Sequence, residues 1–297
     1  MTAASLDRLT ARLQWGLIPA VPVPFRGRVL AEDAQSAYAR WMATQPVAGV
    51  AVWAHTGRGP HLSADERRCV LTTWRAALPS RVIVAGADSV AMAREARAGG
   101  ADALLAFPAR DDPVGYHAAL ARELPVIAFY LYEAAGGVSY DAGTLHAVLE
   151  LPQVVGIKVA TLDSVVTFQR VAALVREHPG KVLITGEDRF FGYSLMMGAR
   201  AALVGMGAAL TDLQARLLST FATGDAAGFL RLSATIDEFA AVTFAAPVDG
   251  YVRRMLWAAA VDARLPPDAC DDPWGPALGG AEREAVIEAL RRARAGA

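Results

Sequence analysis

Val154-Val155-Gly156-Ile157-Lys158-Val159 is an apolar run broken by a single lysine. Runs of this kind recur along the chain at Leu17 to Val21, Gly49 to Ala54, Val82 to Gly86, Ala103 to Phe107, Pro125 to Tyr130, Val182 to Thr185 and Ala201 to Gly205, which makes eight. Most are nearly continuous in Val, Ile, Leu and Ala, as strands covered on both faces require, and they lack the in-out alternation of a half-wet antiparallel sheet. Good helix formers fill the gaps. Ser63 stands three residues before Glu66 and opens one such stretch with a capping box. Ser89 to Ala98, Tyr116 to Arg122, Asp141 to Glu150, Leu162 to Glu177 and Phe190 to Met197 read as further helices.

Eight strands alternating with helices over about 200 residues predict an α/β fold, a (β/α)8 TIM barrel. A doubly wound open sheet is the rival, but Pro22-Val23-Pro24-Phe25-Arg26-Gly27 follows the first strand and neither GxGxxG nor a Walker motif occurs. From about Thr211 the pattern is helical only and is punctuated by Pro247, Pro266, Pro267, Pro273 and Pro276. The expected organisation is an N-terminal segment 1–15, a barrel 16–215 and a C-terminal helical extension 216–297 packed on the barrel.

Composition narrows the function. The chain has 297 residues, 54% apolar and 20% charged, with a formal net charge of −1. Interspersed charge gives no basic stripe for nucleic acid. No apolar run reaches the roughly 20 residues of a membrane span, and Asp7, Arg8 and Arg12 interrupt the N-terminus where a signal peptide needs an apolar core. The expectation is a soluble, cytoplasmic protein. Cys69 and Cys270 are too few for a disulfide framework or a zinc site, and the histidines show no HxH or HExxH spacing, so no metal is expected.

Only two of the 29 basic residues are lysines, Lys158 and Lys181. Arginine stays protonated, whereas a desolvated lysine can lose its proton and attack a carbonyl. In a barrel, reacting groups lie at the C-terminal strand ends. Lys158 falls near that end of strand six, while Lys181 opens strand seven at the opposite face. A free lysine is a neutral amine only about once in 2,500 at pH 7, and burial raises that fraction. Two readings of Lys158 stay open on spacing alone: a nucleophilic amine, or an inward lysine paired with a carboxylate.

The segment Gly156-Ile157-Lys158-Val159-Ala160-Thr161 resembles the Schiff-base lysine motif of the dihydrodipicolinate synthase and N-acetylneuraminate lyase superfamily. Thr56-Gly57 followed by Leu62-Ser63-Ala64-Asp65-Glu66-Arg67 is similar to that family's GTTGE loop and the helix behind it. Tyr130 stands 28 residues before Lys158, the separation of the family's catalytic tyrosine, although Phe129 is its neighbour. Gly186-Glu187-Asp188 resembles a GxD turn, Gly198-Ala199 before Leu203-Val204-Gly205 the entry to strand eight, and Pro24-Phe25 the family's TPF.

The resemblance implies a class I aldolase mechanism on pyruvate or another 2-oxo acid, with Lys158 forming an iminium and no cofactor beyond that covalent imine. Tyr130 would shuttle protons, and Thr56 would hold the phenol and the carboxylate. His55, Gly57, Arg58, Gly186, Asp188 and Leu203 would line the substrate site. A homo-oligomer, dimer or tetramer, is implied too. The chain also departs from the pattern: His55 replaces a threonine, Arg58 a glutamate, and Ala135 the arginine that dihydrodipicolinate synthases keep for their second substrate. The aromatic pair after strand four is missing at Pro108-Ala109-Arg110. These departures point away from dihydrodipicolinate synthase itself. They leave as alternatives a 2-keto-3-deoxy sugar acid dehydratase using the same iminium, a non-catalytic binding or regulatory protein, and a phosphate-sugar enzyme using Gly205-Met206-Gly207.

Overall fold

A computed structural model describes residues 2–162 and 164–297. Eight parallel strands form the central sheet: β1 Leu17–Pro19, β2 Gly49–Val52, β3 Val82–Ala87, β4 Ala103–Ala106, β5 Val126–Leu131, β6 Val154–Ala160, β7 Val182–Thr185 and β8 Ala201–Val204. They run in the order β1-β8-β7-β6-β5-β4-β3-β2. The first and last strands of that order meet through a parallel bridge between Ala20 and Ala51, so the sheet closes on itself as a (β/α)8 barrel. Every residue of β2 to β8 is buried, which is why these strands read as unbroken apolar runs.

Counting the N-terminal helix α1 Ala3–Leu13, the barrel helices are α2 Glu32–Ala43, α3 Ala64–Ala77, α4 Val90–Ala98, α5 Pro113–Ala121, α6 Ala142–Glu150, α7 Val165–Arg176, α8 Phe191–Met196 and α9 Thr211–Thr223. One follows each strand. The capping box at Ser63 forms as expected: the Ser63 side chain accepts from the Glu66 N–H and the Glu66 carboxylate accepts from the Ser63 N–H. Such a cap contributes about 1 kcal/mol to helix stability.

The barrel interior is filled by one apolar cluster that includes Ile18, Ala51, Val84, Leu105, Ile127, Phe129, Val155, Ile184 and Leu203. Leu9 and Leu13 of α1 join this cluster at the N-terminal strand ends and close the bottom. A fully buried Val, Leu or Ile contributes about 1.5–3 kcal/mol, so the interior is a packed core and space remains only at the top.

Three further helices, α10 Ala226–Thr243, α11 Tyr251–Asp262 and α12 Gly280–Ala295, form the extension. The boundary expected at 215 falls inside α9, which runs to Thr223, because the eighth unit needs its own covering helix. The extension is tied to the barrel mouth. The buried Arg58 guanidinium donates to both carboxylate oxygens of Asp272, at 3.1 and 2.6 Å. Arg254, 1% exposed, donates to the carbonyls of Ala245 (2.7 Å) and Pro247 (3.2 Å) and to Glu282 (2.7 Å), which fixes the segment entering α11. Among the described residues no helix is long and apolar enough to cross a membrane.

Candidate active site

Strand pairing decides which side chains face inward. Val126 pairs with Val154 and Ile127 with Gly156, so the β5–β6 register skips one residue at Val155. After that irregularity Phe129 pairs with Lys158 and Tyr130 with Val159. Side chains alternate between faces, and paired residues of parallel strands share a face. Phe129 and Lys158 therefore point into the barrel together. The Lys158 Nζ lies over the Phe129 ring, 4.2 Å from its centre.

Tyr130, expected from the 28-residue spacing as the proton shuttle, faces outward instead. Its phenol contacts Ser139 Oγ at 3.3 Å and accepts from Arg170 at 2.9 Å, away from the amine. Spacing counts residues but not faces, and the skipped residue changes which aromatic meets the lysine.

A narrow cavity of about 20 Å³ opens at the C-terminal strand ends. Of the site residues expected from sequence, the structure brings Lys158, Thr56, His55, Gly186 and Asp188 together around it. It does not place Gly57, Arg58 or Leu203 in the lining. Gly57 lets its loop pass close to β1: a Cβ there would lie 3.0 Å from the Val21 carbonyl oxygen. Arg58 is taken up by Asp272, and Leu203 is fully buried in the barrel interior, paired with Ile18.

Lys158 is 5% exposed, and among the described residues its Nζ makes neither a hydrogen bond nor an ion pair within 4.0 Å. Burial pushes its pKa below the ordinary lysine range, while the nearby charges of Asp188 and Glu187 act in the opposite sense. Gly186 makes room for this side chain, since a Cβ at that position would collide with Lys158 Cε. Asp188 Oδ1 accepts from the Met206 N–H at 2.7 Å, yet burial still raises its pKa above the usual carboxylate range. Glu187, fully buried, accepts from the N–H and hydroxyl of Thr161 (2.6 and 2.9 Å) and from the Leu162 N–H (2.8 Å). Burial pushes its pKa up to about 7 against those hydrogen bonds. Glu187 thereby holds the turn after β6, where Leu162, a lining residue, has φ +59.

The loop after β2 supplies His55 and Thr56. Among the described residues, none accepts a hydrogen bond from the N–H groups of His55, Thr56 or Gly57. Burial, helped by the charges of Arg58, Lys158 and His61, pushes the His55 pKa down to about 3, so its imidazole is neutral. Its Nδ1 lies 2.9 Å from the Tyr251 hydroxyl, which also contacts Thr56 Oγ1 at 3.0 Å.

Tyr251, Tyr132 and Phe244 line the cavity and were missed in the sequence. Tyr132 lies one residue beyond β5, where strand alternation no longer fixes the face. Tyr251 and Phe244 belong to the extension, where no strand-end rule applies.

The fold and the cavity define a TIM-barrel protein with a desolvated amine at the mouth. The family model described as the dihydrodipicolinate synthetase family matches residues 14–284, and the chain belongs to that family, whose members include lyases. It is 28% identical over 244 residues to a DapA-like lyase of Chloroflexus aurantiacus, covering 75% of this chain and 80% of the relative. It is 25% identical over 269 residues to the 4-hydroxy-tetrahydrodipicolinate synthase of Rhodospirillum centenum, covering 84% and 91%. Among solved structures, the sialic acid aldolase of Ruminococcus gnavus superposes with a TM-score of 0.83 at 17% identity, covering 96% of this chain and 98% of the other. YagE from E. coli K12, solved with pyruvate, superposes with a TM-score of 0.82 at 18% identity, covering 94% and 98%.

Proposed function

We propose that the protein is a lyase that forms a Schiff base between Lys158 and the keto carbon of pyruvate or another 2-oxo acid. One observation carries this reading: the Lys158 amine is buried, has no carboxylate within 4.0 Å among the described residues, and lines a cavity at the barrel mouth. Loss of water from around the amine favours its neutral, nucleophilic form, and attack on a keto carbon needs that form. Thr56 and the N–H groups of His55 to Gly57 would hold the substrate carboxylate, as backbone donors hold anions elsewhere. The iminium nitrogen is itself the electron sink, so this chemistry requires no added cofactor.

The pyruvate complex of YagE and the names of the lyase relatives agree with this substrate class. Arg58, expected from the sequence in the substrate site, is held by Asp272, and among the described residues Lys158 is the only Lys or Arg in the lining. A substituent bearing a second carboxylate would find no arginine in that lining, which favours a reaction other than that of dihydrodipicolinate synthase itself. Carbon–carbon cleavage and elimination of water both proceed from the same iminium. Product analysis distinguishes them: pyruvate with an aldehyde marks cleavage, and an acid of unchanged carbon count marks dehydration. A chain that turns over no 2-oxo acid in a broad panel is not such an enzyme. A homo-oligomer, dimer or tetramer, belongs to the same proposal, and sedimentation analysis tests it.

A further inference from the structure

The mechanism needs a phenol or equivalent acid near the amine, and the aromatic on β5 that meets Lys158 is Phe129, which carries no proton to give. Two other phenols reach the cavity. Tyr132 follows β5, but its buried hydroxyl has no hydrogen-bond partner among the described residues. Tyr251 opens α11, is 4% exposed, and its hydroxyl is held at 2.9 Å from His55 Nδ1 and 3.0 Å from Thr56 Oγ1. Its ring stacks near-parallel with two neighbours, Phe244 at 4.7 Å and 18° and His55 at 5.8 Å and 15°. Gly205 leaves the space this ring occupies, since a Cβ there would lie 3.0 Å from the ring and 2.9 Å from Thr56 Oγ1. The Arg58–Asp272 pair and the Arg254 contacts lock the loop and the helix that carry the two ends of this network.

We propose that Tyr251, supplied by the C-terminal extension, is the proton-transfer residue of the lysine-imine reaction, oriented by His55 and Thr56. This rests on the reading of Lys158 as the imine-forming residue. When the Nζ lone pair forms the C–N bond, the carbonyl π pair moves to oxygen, which takes the Tyr251 proton; the phenolate recovers a proton from the nitrogen. On collapse of the carbinolamine, the nitrogen lone pair forms C=N, the C–O bond breaks, and the hydroxyl leaves as water with the phenolic proton. The resulting phenolate is the base for the next step, whether it removes a substrate hydroxyl proton during carbon–carbon cleavage or a carbon-bound proton before elimination. The neutral His55 imidazole and the Thr56 hydroxyl hold the phenol in place throughout. The extension thus supplies a hydrogen-bonded phenol that the barrel strands themselves do not bring to the cavity.

The test is the rate at which a borohydride-trapped pyruvate adduct accumulates on the full chain, followed by mass. Tyr251→Phe keeps the stacked ring and removes one oxygen; the expected result is a fall of about 10²–10⁴-fold, the usual contribution of a positioned acid–base group. Tyr130→Phe, on the outer face of β5, is expected to stay within about threefold of the parent chain, less than a lost catalytic proton transfer produces. A more acidic fluorotyrosine at position 251, which preserves packing should Tyr251→Phe fail to fold, is expected to alter the rate at fixed pH. An unchanged rate in Tyr251→Phe or in the fluorotyrosine protein overturns the proposal, as does a large loss in Tyr130→Phe alone. Absence of any adduct in the parent chain instead overturns the reading of Lys158 and this inference with it.

Discussion

Lys158 Nζ stands 4.2 Å above the centre of the Phe129 ring, so a face of negative π density meets the group whose charge the cavity disfavours. Burial lowers the amine pKa, and the charges of Asp188 and Glu187 pull it partly back; the ring acts in the same direction as those charges. A cation–π contact of this kind is worth about 0.5–2 kcal/mol to the charged form. Phe129→Leu is therefore expected to shift the pH midpoint of adduct formation downward by about 0.4–1.5 units, at 1.36 kcal/mol per unit. A pH profile of the trapping rate reads the shift, and an upward displacement contradicts the arrangement.

Gly186 is a glycine because Lys158 Cε occupies the space a side chain would need. Gly186→Ala should displace the lysine and slow adduct formation by at least about tenfold, while overpacking costs about 1–3 kcal/mol of stability. Trapping rate and thermal unfolding, measured on one preparation, separate these effects. A variant that reacts at the parental rate shows that the amine can work from another position.

Glu187 has a folded-state pKa of about 7, raised by burial above the ordinary carboxyl value. A raised acid binds its proton more tightly in the folded chain than in the unfolded one. Its contribution is therefore fully present below the unfolded pKa and is lost as pH rises toward about 7. Glu187→Gln removes this titration, so its unfolding midpoint should change less between pH 5 and pH 7.5 than that of the parent chain. Equal slopes would mean that the buried carboxyl does not titrate in this window.

Tyr130 lies on the outer face of β5 with Ser139 and Arg170. Tyr130→Phe is expected to cost about 1 kcal/mol or less in stability and to leave the trapping rate within about threefold. A loss of two orders of magnitude would return it to the proton-transfer role that its sequence spacing suggests.

Asp272 is buried against Arg58, with side-chain exposures of 1% and 9%. Removing the acid leaves an uncompensated guanidinium, so Asp272→Ala should lose about 3–5 kcal/mol in urea unfolding. Because this pair joins the His55–Thr56 loop to the extension, the variant should also react more slowly at temperatures where it remains folded.

The barrel was legible in the sequence because strands covered on both faces must be apolar throughout, and eight such runs are hard to assemble otherwise. Lys158, Thr56, His55, Gly186 and Asp188 were legible as strand-end residues. Tyr130 was misplaced because the irregularity at Val155 shifts the β5–β6 register, and a hydrogen-bonding detail of that kind leaves no trace in residue spacing. Arg58 reads as a ligand-binding cation until its partner, 214 residues further along, is seen. Tyr251 and Phe244 reach the cavity through tertiary packing of the extension, which no local pattern encodes.

The central claim concerns one nitrogen, and the chain offers an internal control because Lys181 is its only other lysine. Lys181 Nζ donates to the carbonyls of Leu151 and Val154, at the opposite end of β6 from the cavity. Peptide mapping after borohydride reduction in the presence of pyruvate therefore reads the claim directly. The account predicts a single reduced adduct, on Lys158, that disappears in Lys158→Arg. No adduct with any 2-oxo acid, or one confined to Lys181, would contradict it.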